Sequence, residues 1–252
     1  MTFEVPRGVY DRFMGRYTLE LAPQLVDAAA IARGMRVLDV GCGPGGLTEV
    51  LAAQVGDQRL VAAIDPSAPF VLACRAVVPD ADVRQGVAED LPWPADLFDA
   101  ALSSLVVGFM RDPERGMAEM ARVTASGGTV TACFWDVPRH GMLALAERAI
   151  STVRPDLEPH PPMVGMARDD IPNLMTAAGL TVEASGELEV RVDYADFGDF
   201  WEPVSRAPGP IGEALAQLSE QEQVEVERVA RAALPVGPFE LPAYAWYAVG
   251  RV

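Results

Sequence analysis

Arg36-Val37-Leu38-Asp39-Val40-Gly41-Cys42-Gly43-Pro44-Gly45-Gly46-Leu47-Thr48 is the stretch whose reading decides the fold. Val37, Leu38 and Val40 make a short apolar run of the kind that becomes a buried parallel strand. The run stops at Gly41, Gly43, Gly45 and Gly46, and Leu47, Val50 and Leu51 then recur at helical spacing. A strand turning through glycines into a helix is a ligand-binding turn. Glycine accepts positive φ and carries no Cβ, so backbone amides can approach a small molecule at the helix N-terminus.

Gly41, Gly43 and Gly46 also satisfy the dinucleotide pattern G-x-G-x-x-G, so the glycines alone do not choose a ligand. Asp39 does more. A carboxylate two residues before the first glycine repels a pyrophosphate and suits a ligand that carries an ammonium and a sulfonium. With Asp39 in place, Val37 to Gly45 resembles motif I of the class I S-adenosylmethionine-dependent methyltransferases, strand-Asp-x-Gly-x-Gly-x-Gly. The resemblance implies S-adenosylmethionine as cofactor, with Asp39, Gly41, Cys42 and Gly43 beside it.

Outward from this turn, residues 36 to about 135 alternate strand and helix patterns, the sign of a parallel sheet covered on both faces. Strands are expected at Leu60–Ile64, Val83–Gln85, Phe98–Ser104 and Thr129–Trp135. Asp65 and Pro66 end the second strand. A carboxylate at Asp65 can accept from both ribose hydroxyls of an adenosine, a feature shared with NAD enzymes, or serve as a helix N-cap. Gly86-Val87-Ala88-Glu89-Asp90-Leu91-Pro92 resembles the segment that meets adenine in the methyltransferase subfamily. There Ala88 would offer its amide to the ring, and either Glu89 accepts from the exocyclic amine or apolar contact holds the base, since Val87 stands where the family often has Asp. Ser103 and Leu105 close the fourth strand at the end that faces ligand in an open α/β sheet. Asp112 and Pro113 start a helix in the order cap, then Pro.

Upstream, residues 8 to 31 carry apolar residues at helical spacing, with a break or kink expected at Pro23. Residues 10 to 17 resemble the family's Tyr-Asp-x-x-Met-Gly-Arg-Tyr segment that closes over the cofactor. The resemblance makes Tyr10 a cofactor contact and Arg16 the partner of the methionine carboxylate, against the plain alternative of a surface arginine. Downstream, helices are expected over 138–153, Arg168–Ala178 and 213–233, a Pro-rich loop over 154–165, strand six over 180–192, and a closing strand from Tyr244 to Val252.

The expected architecture is α/β: a Rossmann-like seven-stranded sheet with an antiparallel last strand, helices on both faces, and a helical lid from insertions after strands five and six. Its parts would be an N-terminal helical cover (1–35), the cofactor-binding core (36–137), a lid insertion (138–167), a core helix with strand six (168–194), a second lid insertion (195–240) and the last core strand (241–252). Phe109, Trp135 and Trp201 are candidates for the substrate pocket, or else simply pack the lid onto the core. His140 is the candidate general base should the acceptor be a hydroxyl; His160 lies in the Pro-rich loop.

The composition narrows the partners. Twenty basic residues, all Arg, face 36 acidic ones, a net charge of −16 that disfavours nucleic acid. The opening residues lack a charged-then-apolar leader and no apolar run is long enough to span a bilayer, so no membrane partner and a cytoplasmic location are expected. Cys42, Cys74 and Cys133 show no metal spacing and read as reduced buried thiols. The expected function is methyl transfer from S-adenosylmethionine to a small, apolar or aromatic metabolite by in-line displacement. The alternatives are an NAD-dependent oxidoreductase, or a non-catalytic S-adenosylmethionine-binding protein of the same fold.

Overall fold

The computed structural model describes residue 8, residues 11–159 and residues 161–252; the expectations for Tyr10 and His160 lie outside them. Seven strands form one sheet: β1 (Val37–Val40), β2 (Val61–Asp65), β3 (Asp82–Gln85), β4 (Phe98–Ser104), β5 (Thr124–Trp135), β6 (Thr181–Tyr194) and β7 (Phe239–Arg251). Their order is β3-β2-β1-β4-β5-β7-β6. The first five pair in parallel, while β7 runs antiparallel to both β5 and β6. The expected fold class is thus the observed one, down to the antiparallel last strand.

All four residues of β1 and all five of β2 are buried, as central strands covered on both faces must be. Alternate residues feed two apolar layers. Val37, Ala100, Leu102 and Cys133 face α1 (Arg16–Ala28), α2 (Gly46–Val55) and α3 (Ala68–Val77). Leu38, Val40, Ala101, Ala132 and Phe134 face α4 (Pro113–Val123) and, beyond α5 (Gly141–Val153), α6 (Asp170–Ala177). After β6 the chain adds α7 (Phe197–Ser205), α8 (Pro210–Leu215) and α9 (Glu220–Ala232) before returning as β7.

Three local expectations are corrected. Helix α1 runs through Pro23 without interruption. Leu21, Ala22, Leu25 and Val26 are buried on one side and Pro23 lies on the exposed side, where water can satisfy the carbonyl that proline leaves without a donor. The helix expected over 213–233 is two helices, because Ser219 and Glu222 form a reciprocal capping box that starts α9. Strand β5 begins at Thr124 rather than Thr129, since Phe98 pairs with Thr124 before a bulge in the β4–β5 register.

Candidate functional site

The strand order reverses between β1 and β4, and ligands in open α/β sheets bind where it does. A cavity of about 490 Å³ lies there, lined by Gly41, Asp65, Gly86 and Leu105 at the strand ends. That volume is within the ~300–1,000 Å³ range of small-molecule sites.

The glycine turn forms one wall. The amides of Gly41 and Cys42 both donate to the Ile64 carbonyl, at 2.8 and 3.0 Å, which sews the turn to the end of β2. Gly41 has φ +78°, and a Cβ there would stand 2.3 Å from Cγ2 of Val106. Only glycine lets the turn and the chain after β4 come this close. At Gly43, also on the cavity lining, a Cβ would meet nothing within 4 Å. Leu105 turns the chain at the end of β4 with φ +65°, a strained conformation for a leucine, and lines the cavity with Val106.

Two carboxylates stand beside this turn. Asp65 lines the cavity; its Oδ2 accepts from the Gly43 amide at 2.9 Å and its Oδ1 from the Ser67 amide at 2.8 Å. Burial pushes this carboxyl up, and the two amide donors pull it part of the way back. Each oxygen keeps lone-pair capacity for a ligand hydroxyl. Asp39 is buried; its Oδ2 accepts from the Thr48 hydroxyl at 2.6 Å, and its Oδ1 has no hydrogen-bond partner among the described residues. Burial pushes the Asp39 carboxyl up to about 7, against the Thr48 hydrogen bond, and the negative charge of Asp65 adds to the rise. Two buried carboxylates at one turn penalise an anionic ligand and reward one bearing a positive charge.

The chain after β3 supplies a second wall, with Gly86, Val87, Ala88, Glu89 and Asp90 on the lining. Glu89 is already engaged: its Oε1 accepts from the amides of Arg111 (2.7 Å) and Asp112 (3.2 Å), and its carbonyl from Nε of Arg115 (2.7 Å). It thereby ties the β3 loop to the start of α4.

The rest of the cavity is apolar and comes from distant parts of the chain. Phe13 and Met14 line it from the N-terminal segment, and Phe109, Phe134 and Trp135 from the ends of β4 and β5. Val137, Leu143 and Met163 reach it from the insertion after β5, and Pro208, Pro210 and Ile211 from the one after β6. None of these two insertion groups belongs to a local motif, so sequence reasoning had no signal for them. Met14 was visible as the methionine of the segment that resembles the family's cofactor cover, whereas Phe13 was visible only as part of a helical apolar pattern.

Among the residues expected to bind or act, Gly41, Gly43, Asp65, Pro66, Ala88, Glu89, Phe109 and Trp135 line this one cavity. Asp39 and Cys42 lie next to it in the turn without lining it. Ser103 does not reach it: strand alternation buries that side chain completely, and Ser104 takes the lining position. Trp201 stacks on Phe197 and Phe200 away from the lining. Arg16 is also off the lining, its guanidinium against Asp199 at 3.2 Å and 4.8 Å from the centre of the Tyr194 ring. His140 is fully buried between Tyr17 and Trp135, with ring centroids at 4.6 and 4.8 Å. Its Nδ1 accepts from the Leu143 amide at 3.4 Å as the N-cap of α5, and it does not line the cavity. Sequence separation placed His140 near the site; tertiary packing turned its ring into the core.

Among the described residues no group of three or more His, Cys, Asp or Glu could hold a metal ion, and no helix is long and apolar enough to cross a membrane.

The methyltransferase-domain family model matches residues 38–132, the segment from the glycine turn through most of β5. An uncharacterized protein of Mycobacterium tuberculosis is 31% identical over 218 residues, covering 82% of this chain and 78% of its own. Phosphatidylethanolamine N-methyltransferase of Cereibacter sphaeroides is 32% identical over 151 residues, 57% of this chain and 71% of its own. Among solved structures, geranyl diphosphate C-methyltransferase of Streptomyces coelicolor, bound to Mg2+, geranyl diphosphate and S-adenosylhomocysteine, superposes with a TM-score of 0.54. It shares 18% identity and aligns over 92% of this chain and 78% of its own. The paired carboxylates, the open face of Gly43 and the orphaned oxygen of Asp39 fit a cofactor carrying an ammonium, a sulfonium and a ribose. With that fit and the family match together, the chain belongs to the class I S-adenosylmethionine-dependent methyltransferases.

Proposed function

We propose that this methyltransferase acts on a small metabolite with an apolar or aromatic body, by in-line displacement. The observation that carries the proposal is the single cavity that runs from the glycine turn and Asp65 to a wall built by Phe13, Met14, Trp135, Pro208 and Ile211. Such a wall rewards an apolar acceptor by about 25 cal/mol for each Å² it covers. The phosphatidylethanolamine enzyme, similar over 57% of this chain, acts by its name on an acceptor with apolar chains.

Bound S-adenosylmethionine supplies an activated methyl group and a neutral thioether leaving group. The protein's part is alignment and exclusion of water. Asp65, held by the Gly43 and Ser67 amides, is placed to accept from ribose hydroxyls. Asp39, buried behind the glycine turn, favours the cationic end of the ligand through its charge, and the amide of Ala88 meets adenine beside the loop that Glu89 clamps. The two insertions and the Phe13–Met14 segment shield the acceptor from water.

Calorimetric titration with S-adenosylhomocysteine and, separately, NADH tests the cofactor half. S-adenosylhomocysteine should bind, NADH should not, and Asp65→Ala should weaken binding at least ~30-fold, about 2 kcal/mol for lost hydrogen bonds to a charged group. Transfer of labelled methyl to a panel of hydroquinones, phospholipids, prenyl diphosphates and phenols tests the acceptor half. Turnover confined to polar, apolar-free acceptors would overturn that half. Binding without turnover on any acceptor would favour the non-catalytic reading.

A further inference from the structure

Met163 reaches the cavity from residues 161–169, a stretch between α5 and α6 outside any helix or strand. Such backbone holds a wall in place only where it is tied down. Asp170, the first residue of α6, ties this one: its Oδ2 accepts from the amides of Gly165 at 2.9 Å and Ala167 at 3.0 Å. The Met166 amide donates to the Met163 carbonyl at 3.3 Å and so closes the turn around Gly165. Close packing adds to this. Gly165 has φ +99°, and a Cβ there would stand 2.7 Å from Cγ2 of Val107 and 2.8 Å from Cβ of Phe134. On the facing segment, a Cβ on Gly108 would stand 2.5 Å from Cζ of Phe134 and 2.9 Å from the Val164 carbonyl oxygen. Two glycines thus seat the loop directly on the turn Val107–Phe109 and on Phe134. The rings of Phe109 and Phe134 meet edge to face at 5.5 Å, and both line the cavity. Phe109 and Met163 pack against the same apolar cluster, the one that contains Phe134.

We infer that Met163 is a specificity-determining residue that stops an apolar acceptor at a fixed length, with Asp170 as the positioning residue that holds it. The inference rests on the functional reading above, in which the acceptor lies along the apolar wall. The acceptor is then a compact metabolite, one ring or a short chain, rather than a long-chain lipid. Volume points the same way. One cavity of about 490 Å³ must hold both cofactor and acceptor, which is in the lower half of the ~300–1,000 Å³ typical of a site for a single small molecule. A methionine side chain is flexible and adapts to what it meets. The stop is therefore only as firm as the backbone that carries it. Without the Asp170 carboxylate, the Gly165 and Ala167 amides lose their acceptor and the loop can give way.

The test titrates the whole protein, saturated with S-adenosylhomocysteine, with a series of 4-alkylphenols from methyl to nonyl by calorimetry. Wild-type affinity should rise about fourfold with each added methylene until the chain meets Met163, and should then fall. Met163→Ala should move that limit outward by about two methylenes, so that the first phenol refused by wild type gains about tenfold or more. Met163→Leu, which keeps the bulk, should leave the limit where it is. Asp170→Ala should blur the limit, raising affinity for the same phenol at least about threefold, and Asp170→Asn, which keeps an oxygen for the two amides, should restore it. Affinity for S-adenosylhomocysteine should stay within about twofold in every variant. A limit unmoved in Met163→Ala, no limit in wild type, or S-adenosylhomocysteine affinity that falls with the change at Asp170 would each overturn the inference. Wild type that binds alkylphenols with a limit indifferent to Met163 overturns this inference alone, whereas wild type that binds none of them overturns the functional reading with it.

Discussion

Asp39→Asn should change stability with a sign that depends on pH. The folded carboxyl holds its proton up to about pH 7, whereas the ordinary value is 3.8. Over that window the folded state binds more protons than the unfolded one, so stability falls as pH rises, by ~1.4 kcal/mol per unit. Above pH 7 the full cost of ionising Asp39 in the core, about 4 kcal/mol, is present. Asparagine removes the charge and keeps an oxygen for the Thr48 hydroxyl. It also puts an amide where Oδ1 now has no partner, at a cost of about 1–3 kcal/mol for unsatisfied donors. The variant should therefore be more stable than wild type by about 1–3 kcal/mol at pH 8. At pH 5, where most of the wild-type penalty is gone, the two proteins should be about level, within ~1 kcal/mol. Urea denaturation of both proteins from pH 5 to pH 8.5, without ligand, reads this directly. A difference in unfolding free energy that stays constant across that range would refute the assignment of a buried, proton-holding Asp39.

The same carboxyl should set the pH dependence of cofactor binding: affinity for S-adenosylhomocysteine should drop about tenfold from pH 8 to pH 6 as Asp39 protonates, and calorimetry of Asp39→Asn should show that dependence flattened. Gly41→Ala adds a Cβ 2.3 Å from Val106 at φ +78° and should cost about 2–4 kcal/mol in urea, part of which Val106→Ala should recover; independence of the two changes would count against the close contact. Tyr17→Phe deletes one hydroxyl of the buried Tyr17–Tyr194 pair at 2.7 Å and should cost about 1–2 kcal/mol, and a loss under about 0.5 kcal/mol would mean that the hydroxyl left behind finds another partner. Arg16→Ala removes a half-exposed pair with Asp199 worth no more than about 1 kcal/mol, and should leave S-adenosylhomocysteine affinity within about threefold. A loss beyond about tenfold would restore Arg16 to the methionine carboxylate.

The cofactor end of the cavity was legible in the sequence because its residues are local. Asp39, Gly41 and Gly43 fall within one turn, Asp65 and Pro66 end one strand, and Ala88 and Glu89 follow another. Each motif sits at a strand end, and parallel topology alone gathers strand ends on one side of a sheet. Period-two and helical patterning likewise located every strand, and missed mainly where a neighbour decided the boundary, as Phe98 does for β5 and the Ser219 cap does for α9. The acceptor end was legible only in part: Phe109 and Trp135 were anticipated and line it, Trp201 does not, and the insertion residues gave no signal. Its walls come from Phe13, Trp135, Met163 and Ile211, residues separated by up to about two hundred positions, and apolar residues there follow the same pattern whether they line a cavity or fill a core. Side-chain direction was equally out of reach for Ser103, Arg16 and His140. A sequence names the groups that can bind or react, but whether a serine at a strand end faces ligand, or an arginine its carboxylate, depends on register and on partners such as Asp199 and Trp135. Those partners are fixed only when distant segments pack against one another.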